Sequence, residues 1–238
     1  MTKIEKLLST EHVTDLHKCL KYVPGEYYKI KVCLIGDGGV GKTTYINRVL
    51  NGMFTRKYEA TAGAVIKNLV VNINGDAQIE YQVWDTAGQE KHKGLGDGYY
   101  VKAAGAFIFA DATSRETITN LPKYLNSFTL ANGKANPCLV VCLNKIDLVK
   151  NAATEKAVFR AVKESNNPNV RIVQMSAKSG YNFAEPFEIL TKHLFADDVQ
   201  LSAQISLEPL QNDYDILADP NVDVNNLTEG IAGFRADE

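Results

Sequence analysis

Residues 36–43 read Gly-Asp-Gly-Gly-Val-Gly-Lys-Thr, directly after the mostly apolar run Ile30–Ile35. A strand that empties into such a loop, with a helix behind it, leaves little freedom of fold. Glycines let successive backbone N–H groups turn inward and form a nest for phosphate oxygens. The N-terminus of the next helix adds partial positive charge, Lys42 a full one, and the Thr43 hydroxyl a ligand for Mg2+. The alternative is a glycine-rich turn that holds nothing. With glycine near 7% of ordinary sequence, chance produces the pattern in about one chain in a hundred of this length. The loop therefore predicts phosphate binding by Asp37, Gly38, Gly39, Val40, Gly41, Lys42, Thr43 and Thr44.

Strand and helix patterns alternate after this point. Lys29–Ile35 reads as a strand and Gly41–Leu50 as a helix stopped by Gly52. Val65–Ile73 and Gln78–Trp84 flank Asn74-Gly75-Asp76-Ala77, the signal of an antiparallel hairpin. Ala106–Ala110 and Leu139–Leu143 are short apolar runs of the kind buried on both faces, and Val170–Met175 alternates less cleanly, as nearer an edge. Helical patterns fall near Ile118–Leu130, Thr154–Glu164 and Phe183–Leu194. Six strands with helices between them, one pair antiparallel, predict a doubly wound α/β sheet with ligands at the carboxyl ends of its strands.

The 238 residues suffice for one sizeable core plus appendages. No apolar stretch approaches the length of a membrane span, and the N-terminus lacks the apolar core of a signal peptide. Cys19, Cys33, Cys138 and Cys142 fit no zinc spacing, and three lie in apolar runs as small hydrophobes, the pattern of a cytosolic or nuclear protein. The net charge of −2 hides an asymmetry. Residues 195–238 hold ten acidic residues and one basic residue, leaving the rest at about +7. Such a tail either folds back on the basic body or stays solvated; a basic body also suits acidic partners. Residues 1–27 read as an N-terminal extension with imperfect helical spacing, closed by Pro24-Gly25. The body spans 28–195 and the acidic tail 196–238.

Three further motifs carry chemistry. Gln78–Trp84 runs into Asp85-Thr86-Ala87-Gly88-Gln89-Glu90. A carboxylate at a strand end beside a phosphate loop can hold Mg2+ through water, Gly88 permits close approach to a terminal phosphate, and Gln89 can orient an attacking water. Asn144-Lys145-Ile146-Asp147 follows the Leu139–Leu143 run. Its carboxylate can accept from the ring N–H and the exocyclic amine of guanine, whereas adenine offers an acceptor at that ring position. Ser176-Ala177-Lys178 can supply a backbone N–H to the guanine oxygen. Thr61 could complete the Mg2+ shell when a γ-phosphate is present, ordering its loop until hydrolysis releases it. Each short motif alone is also an ordinary polar turn; it is their order along one chain that selects guanine.

With these residues in order the chain resembles the small Ras-type GTPases and, within them, the Ran family. The resemblance covers about residues 28–195 and rests on Gly36–Thr44, Val83–Lys91, Gly94-Leu95, Asp97–Tyr100, Thr113–Arg115, Ser176–Ser179, Tyr181–Phe183 and Pro186-Phe187. It implies a six-stranded, mostly parallel sheet with one antiparallel strand and about five flanking helices. It implies GTP, GDP and Mg2+ as ligands, with Thr43, Thr61 and Asp85 at the metal. Gln89, Lys42 and Thr61 would be catalytic: Lys42 on the β- and γ-phosphates, Gln89 positioning water. Asn144 and Asp147 would read guanine, Lys145 would also bind the nucleotide, and Phe54 would pack on the base edge. Tyr58 stands where Ran has a tyrosine near its glutamine, and a side chain at Gly38 would crowd Gln89.

The resemblance further implies a monomeric GTP-hydrolysing switch in nucleus and cytoplasm. Its partners would be importin- and exportin-type receptors, an exchange factor and a GTPase activator, with no direct nucleic acid and no membrane anchor. Four features depart from Ran: His92 replaces an exposed phenylalanine that anchors the importer of the GDP form, the acidic terminus is weaker, the basic cluster of the fourth helix is thinned to Lys156, Arg160 and Lys163, and the N-terminal extension is long. A Rab-like trafficking GTPase is a second reading, disfavoured because no cysteine lies beyond Cys142. A nucleotide-binding scaffold without turnover is a third.

Overall fold

In a computed structural model, the described residues are 20–52, 54, 60–61, 63–88, 97–134, 137–149, 153–165, 167, 170–195, 199 and 201. The N-terminal extension before Leu20, Tyr58, Gln89 and His92, and the acidic tail beyond Leu201, to which the sequence assigns roles, lie outside them.

One sheet organises the molecule. Its strands are β1 (Tyr27–Ile35), β2 (Ala64–Ile73), β3 (Ala77–Thr86), β4 (Gly105–Asp111), β5 (Cys138–Asn144) and β6 (Val170–Gln174), in the order β2-β3-β1-β4-β5-β6. Among these described strands only the β2–β3 pair is antiparallel. Its turn meets the type I′ requirement. Asp76 N–H bonds Ile73 O at 3.3 Å, and the enclosed Asn74 and Gly75 have φ of 49° and 88°. The less regular β6 is an edge strand, as its sequence predicts.

Five α-helices are described: α1 (Lys42–Asn51), α2 (Arg115–Thr119), α3 (Leu121–Asn132), α4 (Ala153–Glu164) and α5 (Glu185–Phe195). Gly52 stops α1 in the left-handed region at φ 68°, its N–H returning to Arg48 O. The single helical pattern expected over Ile118–Leu130 is instead two helices broken at Asn120. Pro122 has no N–H to give the Ile118 carbonyl, so the first helix cannot run on.

The central strands alternate with both faces apolar. Phe107 and Phe109 of β4 join Tyr45, Ile46, Phe187 and Leu190 from α1 and α5 in one core layer. Ala106, Ile108 and Ala110 join Leu121, Leu125, Phe128 and Val158 from α3 and α4 in the other. Phe187 lies within 4.9–6.2 Å of the Tyr45, Tyr81 and Phe107 ring centroids. Truncating it to Ala would cost about 3–5 kcal/mol. Cys33, Cys138 and Cys142 are free and buried in these layers.

β1 has β3 on one side and β4 on the other. Its carboxyl end is therefore the topological switch point where doubly wound sheets bind ligands, and the loop of residues 36–41 begins there.

Candidate functional site

The phosphate loop is shaped by backbone that only glycine adopts easily. Gly41 has φ 101°, and a Cβ there would overlap the Asn144 side-chain amide. α1 starts with no side-chain cap hydrogen bond and no acidic residue in its first turn, so the positive end of its dipole suits an anion. Lys42 is only 5% exposed, with its ammonium at 2.5 Å from Gly36 O and 3.0 Å from Asp37 O. Gly38 and Gly39 are exposed at the rim, Val40 is buried beneath, and Thr44 is half-buried on the helix.

A second group of oxygens lies beside the start of α1. The hydroxyls of Thr43 and Thr61 stand 2.8 Å apart, joining helix to loop. Gly63 O accepts the Ala87 N–H at 2.8 Å, which ties the Thr61 loop to the end of β3. Asp85, close to that end, is fully buried, and its Oδ1 has no hydrogen-bond partner. Its Oδ2 faces the Lys67 ammonium at 3.4 Å, and the same ammonium donates to Asn47 Oδ1 at 2.6 Å. Two hydroxyls and an orphaned carboxylate oxygen suit a hard cation such as Mg2+. Gly88 follows closely: a Cβ there would overlap the Gly38 backbone, so this loop rests on the phosphate loop.

The Asn144–Asp147 and Ser176–Lys178 segments gather at the carboxyl ends of β5 and β6. Asn144 is buried, and its Nδ2 donates to Val40 O at 2.8 Å while its Oδ1 accepts the Ala177 N–H at 2.9 Å. The Ser176 hydroxyl donates to Asp147 Oδ1 at 2.7 Å and accepts the Ser179 N–H at 3.0 Å. Within the Ser176–Lys178 triplet the Ser176 N–H goes to Tyr181 O and that of Ala177 to Asn144 Oδ1. Lys145 takes φ 65° and reaches Asp111 Oδ2 at 2.7 Å. Burial pushes the Asp111 carboxyl up, but hydrogen bonds from Lys145 and Thr113 outweigh it and hold it below the ordinary range. Phe54 lies just beyond the α1 cap, half-buried.

Four residues escaped the sequence reading. Besides Lys67 and Asp111, Asn120 and Tyr124 donate to the Asp37 carboxylate at 2.8 and 2.7 Å. None carries a local motif. The one sequence signal near any of them is Pro122, which stops the first helix beside Asn120.

The Ras family model matches residues 31–196. The GTP-binding nuclear protein GSP1 of Encephalitozoon cuniculi is 43% identical over 187 residues, covering 78% of this chain and 86% of the relative. With the fold and loop geometry, these likenesses place the chain in the Ras family, as a Ran-like small GTPase that binds guanine nucleotide and hydrolyses GTP.

Proposed function

We propose that this GTPase is a nucleocytoplasmic transport switch, working in nucleus and cytoplasm through the body at 28–195. The observation that carries the nucleotide site is the Asn144 side chain, which joins the phosphate loop at Val40 to the guanine loop at Ala177. One cradle thereby spans phosphate and base. In it the inward N–H groups of residues 37–44 and the Lys42 ammonium hold the phosphates. Asp147 reads the guanine ring N–H and amine, and a backbone N–H of Ser176–Lys178 its oxygen. Lys145 lies along the base, and Phe54 packs on its edge.

Thr43, Thr61 and Asp85 fit Mg2+, because the buried Asp85 Oδ1 otherwise lacks a partner. The ion, when bound, would neutralise charge on the β- and γ-phosphates. Gln89 would orient the water that attacks the γ-phosphate, with Gly38 leaving it room. Loss of the γ-phosphate would release Thr61 and its loop. Transport receptors of the importin and exportin type, an exchange factor and an activator are the partners this reading requires. The name of the relative, a nuclear GTP-binding protein, supports it.

Single-turnover GTP hydrolysis with and without a Ran-type activator tests the enzyme. A pull-down on GTP-loaded Gln89→Leu tests the partners: capture of importin-type receptors is expected, and capture of none would remove the transport role.

A further inference from the structure

Lys67 lies on β2 and faces the α1 side of the sheet, diagonal to Asp85 and two positions from it in register. The β2–β3 pairing sets Lys67 against Val83 and Val65 against Asp85. The Lys67 side chain is 17% exposed and the Asp85 side chain 1%. The ammonium touches one carboxylate oxygen at 3.4 Å and is steered there by Asn47 of α1 at 2.6 Å. The other carboxylate oxygen stays buried and unpartnered. A buried carboxylate needs a compensating cation, and here the fold supplies one, the Lys67 ammonium at 3.4 Å from Asp85 Oδ2.

We propose that Lys67 is a positioning residue of the metal site that shares the Asp85 carboxylate with Mg2+, lowers the site's affinity for the ion and so speeds nucleotide release. The inference rests on the reading of Thr43 and Asp85 as Mg2+ donors in the GDP form, where Thr61 is released. Two effects act in the same direction. The ammonium repels a divalent cation electrostatically, and it occupies an oxygen whose negative charge the ion would otherwise have to itself. Lys67 also stabilises the metal-free form, in which Asp85 would otherwise be buried with no cation near it. The protein therefore gives up its metal, and then its nucleotide, at lower cost than one with a neutral residue at position 67.

The test follows release of a fluorescent GDP analogue from the full chain across a series of buffered free Mg2+ concentrations. In Lys67→Met, and in Lys67→Gln, which keeps a donor but loses the charge, the midpoint for Mg2+ protection falls about tenfold, the scale of a screened repulsion between neighbouring charges. Lys67→Arg restores the wild-type midpoint. Thermal unfolding of the GDP form gives a second readout. The Tm gap between Mg2+ and a chelator widens in Lys67→Met, whereas a purely structural lysine would lower both values together. If wild-type release ignores Mg2+, the metal site itself is wrong and the inference goes with it. If wild-type release responds to Mg2+ but the neutral variants keep its midpoint, or raise it, the role of Lys67 alone is overturned.

Discussion

The Asn144 side-chain nitrogen donates to the Val40 carbonyl at 2.8 Å, across 104 positions of sequence. Its oxygen meanwhile takes the Ala177 N–H. A residue whose motif suggests base contact thus spends its amide on holding two ligand loops together. Asn144→Ala leaves the Val40 carbonyl and the Ala177 N–H without those partners in a buried site, at about 1–3 kcal/mol. GDP release is expected to quicken roughly ten- to a hundredfold, with a smaller fall in the unfolding midpoint of the nucleotide-free chain. Stopped-flow release of labelled GDP checks this, and unchanged rates would mean the two loops stay in place without the tie.

Thr43 makes a contrasting case. Its hydroxyl faces that of Thr61 at 2.8 Å, so Thr43→Ala removes one oxygen of the proposed metal set and the partner of another. GTP affinity in Mg2+ should fall at least tenfold, while affinity in chelator changes little. Titrating both conditions separates a metal ligand from a residue that merely packs. Equal losses in the two would assign Thr43 to packing.

Much of this was legible in the sequence because most of the ligand loops follow a strand and carry their residues contiguously, the Thr61 loop between α1 and β2 excepted. Residues 36–43, 85–89, 144–147 and 176–178 each hold their chemistry within a few positions, and strand polarity delivers most of them to one edge. What could not be read is the cross-linking between loops. Lys67 meets Asp85 because of a hairpin register, and Asn120 meets Asp37 because a helix breaks before Pro122. Tyr124 meets Asp37 only once the second core layer has packed. Each is a long-range bond by a residue type common on any surface, with no spacing rule to mark it. The helix break itself was missed because apolar periodicity runs almost unchanged through Ile118, Leu121 and Leu125.

The tie on Asp37 has a consequence for phosphate binding. A carboxylate in a phosphate loop repels its ligand unless it is held aside, and Asn120 and Tyr124 both donate to it. Removing both donors, as Asn120→Ala with Tyr124→Phe, should weaken GTP several-fold and GDP less, since GTP carries more charge. Adding Asp37→Ala to that background should restore affinity. Equilibrium titration of both nucleotides across the three variants decides it. If the third substitution rescues nothing, the donors support only the seat of α3.

Asp111 supplies the pH test. Its carboxyl is held below the ordinary value near 3.8, so its contribution to stability is fully present above that value and lost as pH falls through the lower, folded one. The partner Lys145 side chain is 33% exposed, so solvent screening limits the pair to about 1 kcal/mol. Urea unfolding of Asp111→Asn at neutral pH is expected to show a deficit of that size relative to wild type. The deficit should persist through pH 5 and shrink once the pH drops below about 3.8. A deficit that instead vanished between pH 7 and 5 would point to a titrating group other than this carboxylate, and would leave Lys145 held by its left-handed backbone at φ 65° alone.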